Sequence, residues 1–180
     1  MRRVGLPGSG VRVMCITSLS TLLQGIAPVP SVFDVTIHGL KTDSRDVRSG
    51  DAFVALAGAR TPADHYIEQA IGAGATVILL ESAQPDECYE HEGVLIVPVT
   101  ALRAHLGKIA DRFFEHPSQR LRLIGVTGTN GKTSVSHYIA TLLQETGTPC
   151  GVVGTLGYGM PGALQEGAHT TPDVVQINRV

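Results

Sequence analysis

The sequence predicts an α/β fold, and three observations lead there. The chain is 43% hydrophobic but only 4% aromatic, with no Trp, so its core must be assembled from Val, Ile, Leu and Ala. Those residues suit strands buried on both faces of a parallel sheet. Short apolar runs alternate with segments of helical periodicity, the order expected of β-α-β units. The pattern then halts at Glu115-His116-Pro117-Ser118 and restarts with an apolar run, a glycine-rich turn and a helix. At 180 residues there is room for one ordinary domain or two small ones.

Residues 1–17 read as a leader expected to be disordered. Arg2, Arg3 and Arg12 ahead of a mildly apolar stretch imitate a secretory signal, but Thr17, Ser18, Ser20, Thr21 and Gln24 make that stretch too polar for one. Met14 could be a true start. Ser18 is placed to cap a short helix, Leu19–Gln24. Val32–Gly39 alternates as a strand, and Lys41-Thr42-Asp43-Ser44-Arg45 follows as a polar loop. Asp51–Leu56 is a short apolar strand between Gly50 and Gly58. Asp64–Ala73 is a helix with Asp64 at its N-cap, Ile67, Ala70 and Ile71 on one face, and Gly74 ending it. Thr76–Leu80 is a buried strand, Glu81–Gly93 a polar surface loop, and Val94–Val97 another strand. Thr100 is expected to cap a helix reaching Phe114, with Leu102, Leu106, Ile109, Ala110 and Phe113 on its inner stripe. A first domain over 18–117 and a second over 118–180 follow from the break. In the second, Leu121–Thr127 is an apolar strand, Lys132–Thr146 a helix closed by Gly147 and Pro149, and Cys150–Thr155 a strand. One β-loop-α-β unit implies a parallel sheet with a right-handed crossover. It holds a single helix, too little to cover both faces of such a sheet, so the chain reads as stopping part-way through a domain.

The formal net charge is −2, so no global field draws nucleic acid or an anionic membrane. No apolar run approaches the roughly 20 residues that span a bilayer. Cys15, Cys88 and Cys150 are odd in number and far apart, with neither metal spacing nor a disulfide framework, which points to a reducing cytoplasm. Seven His residues are scattered without metal spacing.

The chemistry concentrates at Thr127-Gly128-Thr129-Asn130-Gly131-Lys132-Thr133-Ser134. Glycines let backbone N–H groups approach phosphate oxygens without a Cβ in the way. The following helix start adds unpaired donors and partial positive charge. Lys132 can reach the β/γ oxygens of ATP, and the Thr133 hydroxyl can ligate Mg²⁺. This is a P-loop of altered length, because the first glycine of the general pattern would fall at Val126, between Gly125 and Gly128. The predicted fold is therefore a small N-terminal α/β nucleotide-binding domain followed by the first β-loop-α-β unit of a P-loop parallel-sheet ATPase domain.

The loop resembles that of the Mur ligases, the ATP-dependent amide-forming enzymes of peptidoglycan precursor synthesis. Folylpolyglutamate and cyanophycin synthetases carry related loops, so two further segments narrow the resemblance. Asp43-Ser44-Arg45-x-Val47-x-x-Gly50-Asp51-x-Phe53-Val54-Ala55-Leu56-x-Gly58 is similar to the uridine-nucleotide domain of MurE- and MurF-type ligases. His169-Thr170-Thr171-Pro172-Asp173 is similar to a MurE segment, and Thr129 stands where MurF-type loops usually have Ser. The resemblance implies a MurE-type ligase over roughly 18–180, with Thr42, Ser44, Arg45, Ala59, Arg60, Thr61, His169, Thr170 and Thr171 on the UDP-muramoyl-peptide. Ala59-Arg60-Thr61 departs from the common form of its segment, and Asp64-His65 stands where Asp-Gly is frequent. It implies ATP on Gly128–Ser134, Lys132 as the catalytic cation and Mg²⁺ on Thr133. The implied partners are UDP-N-acetylmuramoyl-L-Ala-D-Glu and a diamino acid, meso-diaminopimelate or L-Lys, on a monomeric cytoplasmic enzyme. The family's acidic Mg²⁺ ligand, carbamylated lysine and diamino-acid pocket match no residue here, so the chain is expected to be an inactive fragment. A MurF-type or cyanophycin-type ligase and a non-catalytic nucleotide-binding module stay open as alternatives. Read without the resemblance, Arg45 can pair with a phosphate or with Asp43, Asp46 or Asp51, and Asp43-Ser44-Arg45 can be a turn bonded to its own backbone.

Overall fold

The structure is a computed structural model that describes residues 15–56, 63–84, 86–165 and 173–179. The chain divides into two compact units, Met1–Arg103 and Ala104–Val180. The sequence break at 115–118 lies later than this division.

The first unit is built on a five-stranded sheet. β1 (Thr17–Ser18) leads directly into α1 (Leu19–Leu23), whose cap is Ser18: its hydroxyl accepts the Thr21 N–H at 3.3 Å. The expected strand over 32–39 is interrupted. A 3₁₀ turn covers Ser31–Phe33, and only β2 (Thr36–Ile37) and β3 (Gly39–Lys41) are extended. The cause is Asp34, whose carboxylate turns away to accept the Ser20 N–H at 2.8 Å and the Ser20 hydroxyl at 2.7 Å at the start of α1. β2 pairs with β1, while β3 enters the main sheet beside β4 (Asp51–Ala55).

α2 (Ala63–Gly72) begins one residue before Asp64, so Asp64 lies inside the helix rather than at its cap. β5 (Val77–Ser82), β6 (Tyr89–His91) and β7 (Val94–Thr100) complete the order β3-β4-β5-β7-β6. The first four are mutually parallel and β6 runs antiparallel at the edge. β6 lies in the stretch expected to be loop. All three of its residues are exposed, so it has no apolar alternation to betray it. Phe53, Ala55, Ile78, Val94 and Ile96 form a buried cluster with Ile67 and Ala70 of α2. Ala52, Val54, Val77, Leu79, Leu95 and Val97, on the opposite face, are buried as well. Both faces are thus covered, as parallel strands require.

α3 (Leu102–Phe113) buries the expected stripe of Leu102, Leu106, Ile109, Ala110 and Phe113. Its cap differs from expectation. Thr100 is the last residue of β7, Ala101 adopts φ 51°, and the Arg103 N–H donates to a Glu81 carboxylate oxygen at 3.3 Å. A carboxylate at the positive end of a helix does the work assigned to a hydroxyl.

In the second unit, Glu115 and His116 both turn left-handed, at φ 59° and 57°. Asp111 fastens that turn by accepting from Ser118 Oγ at 2.7 Å and meeting His116 Nδ1 at 2.7 Å. Leu121–Thr127 pairs with no strand among the described residues, and Leu121, Leu123 and Ile124 are exposed. An apolar run shows that a strand seeks burial but not which neighbour will complete its hydrogen bonds. α4 (Lys132–Glu145) ends in a Schellman motif, with Gly147 at φ 81°, its N–H on Gln144 O and the Thr148 N–H on Leu143 O, both at 2.9 Å. β8 (Val152–Gly154) takes its partner from the next segment, not from a parallel crossover. It pairs antiparallel with β9 (Gly157–Met160), which pairs with β10 (Ala163–Gln165). α5 (Val174–Arg179) closes the described chain.

Candidate functional site

Each unit carries one group of site residues. In the first, a cleft of about 460 Å³ opens at the carboxyl ends of β3 and β4, where open α/β sheets receive ligands. Thr42, Asp43, Ser44 and Arg45 line it from the segment after β3, Leu56 from the end of β4, and Tyr66 and Gln69 from α2. Thr42, Ser44 and Arg45 thus line one cleft. Tyr66 and Gln69 escaped the sequence reading. Their spacing of three along a helix was the available signal, since it places both on one face.

Ser44 is only 4% exposed, and its hydroxyl donates to Gln69 Oε1 at 2.7 Å. Its proton is thus committed, and what Ser44 can offer a ligand is a lone pair. Asp43 caps the 3₁₀ turn Ser44–Asp46 by accepting the Arg45 N–H at 3.0 Å. It also holds the Arg45 guanidinium in a fork, Nε to Oδ1 at 2.9 Å and Nη2 to Oδ2 at 2.5 Å. This fork keeps the Asp43 carboxyl below its usual range and raises Arg45. Of the carboxylates left open for Arg45, the structure pairs it with Asp43. Asp51 is structural: its carboxylate is nearly buried, accepts the Arg48 N–H at 3.0 Å and lies 4.0 Å from Lys41 Nζ.

In the second unit, Gly128 and Gly131 both have positive φ, 148° and 76°. They turn the chain into α4 with no side-chain cap at Gly131. The first turn-closing bond runs from Val135 N to Gly131 O at 2.9 Å. The amides of Lys132, Thr133 and Ser134 precede it and have no partner within the helix ladder. Lys132 Nζ bends back over the loop and donates to Gly128 O at 2.5 Å and Thr129 O at 3.3 Å. The Thr133 hydroxyl lies 3.2 Å from the hydroxyl of Thr155. Thr129, Asn130 and Lys132 are exposed. Free amides, one mobile cation and an oxygen ligand for a hard metal are the donor set that a nucleotide polyphosphate with Mg²⁺ requires, so the residues fit both.

Two family descriptions match this chain. "Mur ligase family, catalytic domain" covers residues 36–114 and "Mur ligase middle domain" covers 126–180. The chain belongs to the Mur ligase family. Within that family, it is 45% identical over 168 residues to the UDP-N-acetylmuramoyl-L-alanyl-D-glutamate--2,6-diaminopimelate ligase of Alkalilimnicola ehrlichii, covering 89% of this chain and 34% of that one. The ligase of the same description from Ectopseudomonas mendocina is 47% identical over 143 residues, covering 79% of this chain and 29% of its own. A solved structure of a ligase with that description superposes with a TM-score of 0.70 at 29% identity, over 90% of this chain and 32% of that one. The chain thus spans about a third of the length of these Mur ligases.

Ala59, Arg60, Thr61, His169, Thr170 and Thr171 lie outside the described residues. The histidines lack metal spacing in sequence; among the described residues one of them, His91, joins a surface cluster in which ligand atoms of Glu68, His91 and Glu92 lie within 4.8 Å of one another, all three residues being exposed. Among the described residues no helix is long and apolar enough to cross a membrane.

Proposed function

We propose that this Mur ligase chain forms the UDP-sugar-binding domain, residues 18–117, and the opening of the ATP-binding domain, residues 118–180, of an amide ligase of peptidoglycan precursor synthesis. The reaction joins a diamino acid to the D-Glu γ-carboxyl of UDP-N-acetylmuramoyl-L-Ala-D-Glu. The names of the relatives favour 2,6-diaminopimelate as that amino acid. ATP supplies the phosphoryl group that activates the carboxylate as an acyl phosphate, releasing ADP, and the amine then attacks the acyl carbon and displaces inorganic phosphate.

The observation that carries this reading is the uncapped start of α4 beneath two positive-φ glycines, with Lys132 folded over the loop. The amides of 132–134 hold phosphate oxygens in place, and Lys132 exchanges two loop carbonyls for them, neutralising the charge that builds toward the β-phosphate as the γ-phosphoryl group leaves it. Thr133 supplies an oxygen ligand for Mg²⁺. The cleft of the first unit holds the uridine nucleotide, Tyr66 offering an aromatic surface and Ser44 a lone pair. Ala59, Arg60, Thr61, His169, Thr170 and Thr171 are assigned to the same substrate by their match to the family. Binding energy collected at the uridine end is available for positioning the distant carboxyl.

Lys132→Ala in the complete enzyme tests this. Turnover is expected to disappear while uridine-nucleotide binding persists; activity near that of the unaltered enzyme overturns the reading.

A further inference from the structure

Thr155 was no part of the expected site, yet its hydroxyl lies 3.2 Å from the hydroxyl of Thr133. It reaches that position through the β8–β9 hairpin. The ladder ends at the Gly154–Gly157 pair, so Thr155 and Leu156 form a two-residue turn. β8 packs beside α4, which brings the turn to the first turn of the helix.

A threonine inside a helix usually disposes of its hydroxyl proton on a carbonyl three or four residues back. Ser136 does this, donating to Thr133 O at 2.9 Å. The Thr133 hydroxyl faces Thr155 instead, across 22 residues of sequence. A hydroxyl that ligates a cation gives the metal a lone pair and keeps its proton, which then needs an acceptor. Polarisation by the metal makes that proton a stronger donor still. A second oxygen on the side of Thr133 where Thr155 sits sets the direction in which the remaining lone pair points, as outer partners orient metal ligands elsewhere.

We propose that Thr155 is a positioning residue for Mg²⁺ at the phosphate loop: it accepts the Thr133 hydroxyl proton and so aims the Thr133 oxygen at the metal. The inference rests on the ATP reading of the loop and adds a residue from a different element to it. It also gives the β8–β9 hairpin a task besides completing the sheet.

The test is the affinity of the 180-residue chain for ATP with Mg²⁺ and again with EDTA, read as the ratio of the two Kd values. The unaltered chain is expected to bind ATP more tightly with the metal. Thr155→Val, which keeps the shape and removes the hydroxyl, is expected to lower the ratio about tenfold, the scale on which outer partners act on bound metals. Thr155→Ser restores it. Thr133→Val lowers the ratio comparably, and adding Thr155→Val to it changes nothing more, because both act through one hydroxyl. If the unaltered chain shows no metal-enhanced ATP binding, the ATP reading itself falls. If it does, but Thr155→Val keeps the full ratio, or Ser fails to rescue, or the two substitutions act additively, the role of Thr155 alone is overturned. Far-UV circular dichroism of each variant confirms that α4 is intact, so that a lost helix is not counted as a lost ligand.

Discussion

Ser44→Ala separates what Ser44 does for the fold from what it does for a ligand. Ser44 is 4% exposed, and its hydroxyl makes the 2.7 Å donation to Gln69 Oε1. Replacing the hydroxyl with hydrogen opens no sizeable cavity, so the cost is the hydrogen bond. A net intramolecular bond contributes about 0.5–1.5 kcal/mol. Gln69 is exposed, and its freed carbonyl recovers a water, which places the expected loss near the middle of that range, about 1 kcal/mol. Urea unfolding of Ser44→Ala, Gln69→Leu and the double variant forms a cycle whose coupling is expected at about 0.5–1.5 kcal/mol. For the ligand, the committed proton leaves Ser44 as an acceptor. Uracil presents N3–H, whereas cytosine presents a bare N3. Ser44→Ala is therefore expected to weaken UDP binding about tenfold, or roughly 1.4 kcal/mol, while leaving CDP binding almost unchanged. Coupling below about 0.3 kcal/mol would refute the hydrogen-bond assignment. Equal losses for UDP and CDP would refute the acceptor role and leave Ser44 as part of the scaffold only.

Three further outcomes are expected. In Gly39→Ala the new Cβ would stand 2.1 Å from Asp51 Oδ1; because Asp51 is held by the Arg48 N–H and Lys41, it cannot step aside, and a loss of about 1–3 kcal/mol in urea unfolding is expected. Asp34, Asp43 and Asp111 all hold their carboxyls below the ordinary 3.8, through the Ser20 backbone N–H, the Arg45 guanidinium and the Ser118 hydroxyl respectively. Groups depressed in the folded state stabilise it above their unfolded pKa, and that contribution fades as pH falls through the folded value, so urea midpoints should drop on going from pH 6 to pH 3 and Asp111→Asn should flatten the slope; a midpoint that rises at pH 3 contradicts this. Lys132→Ala in the 180-residue chain should weaken ATP binding at least tenfold, since it removes the one cation that bends over the loop, with UDP binding unaffected as an internal control.

Much of this was legible because it is written locally. The buried stripe of α3 follows from apolar residues recurring at three and four, and the Ser18 cap and the Gly147 stop from single residues with special backbone chemistry. The glycine-rich loop is similarly local: two glycines with positive φ, followed by a lysine and a threonine, announce a helix that begins on free amides. The polar segment Thr42–Arg45 was also visible, though not that Asp43 would take Arg45.

The remainder depended on partners distant in sequence. Asp34 cuts short the strand expected over 32–39 because its carboxylate is needed at the start of α1, and Glu81 rather than Thr100 meets the first turn of α3. β6 exists because an edge pairs with β7 although its side chains remain in water. Tyr66 and Gln69 enter the cleft only once α2 lies across the carboxyl ends of β3 and β4, and Thr155 finds Thr133 only through a hairpin. By itself the sequence determined the α/β class, the buried stripe of α3 and the glycine-rich turn into α4, because periodicity and backbone freedom act over a few neighbouring residues. Tertiary structure alone decided which strand pairs with which, which carboxylate caps which helix and which hydroxyl meets which, because a hydrogen bond is settled by whichever partner the fold brings within about 3 Å.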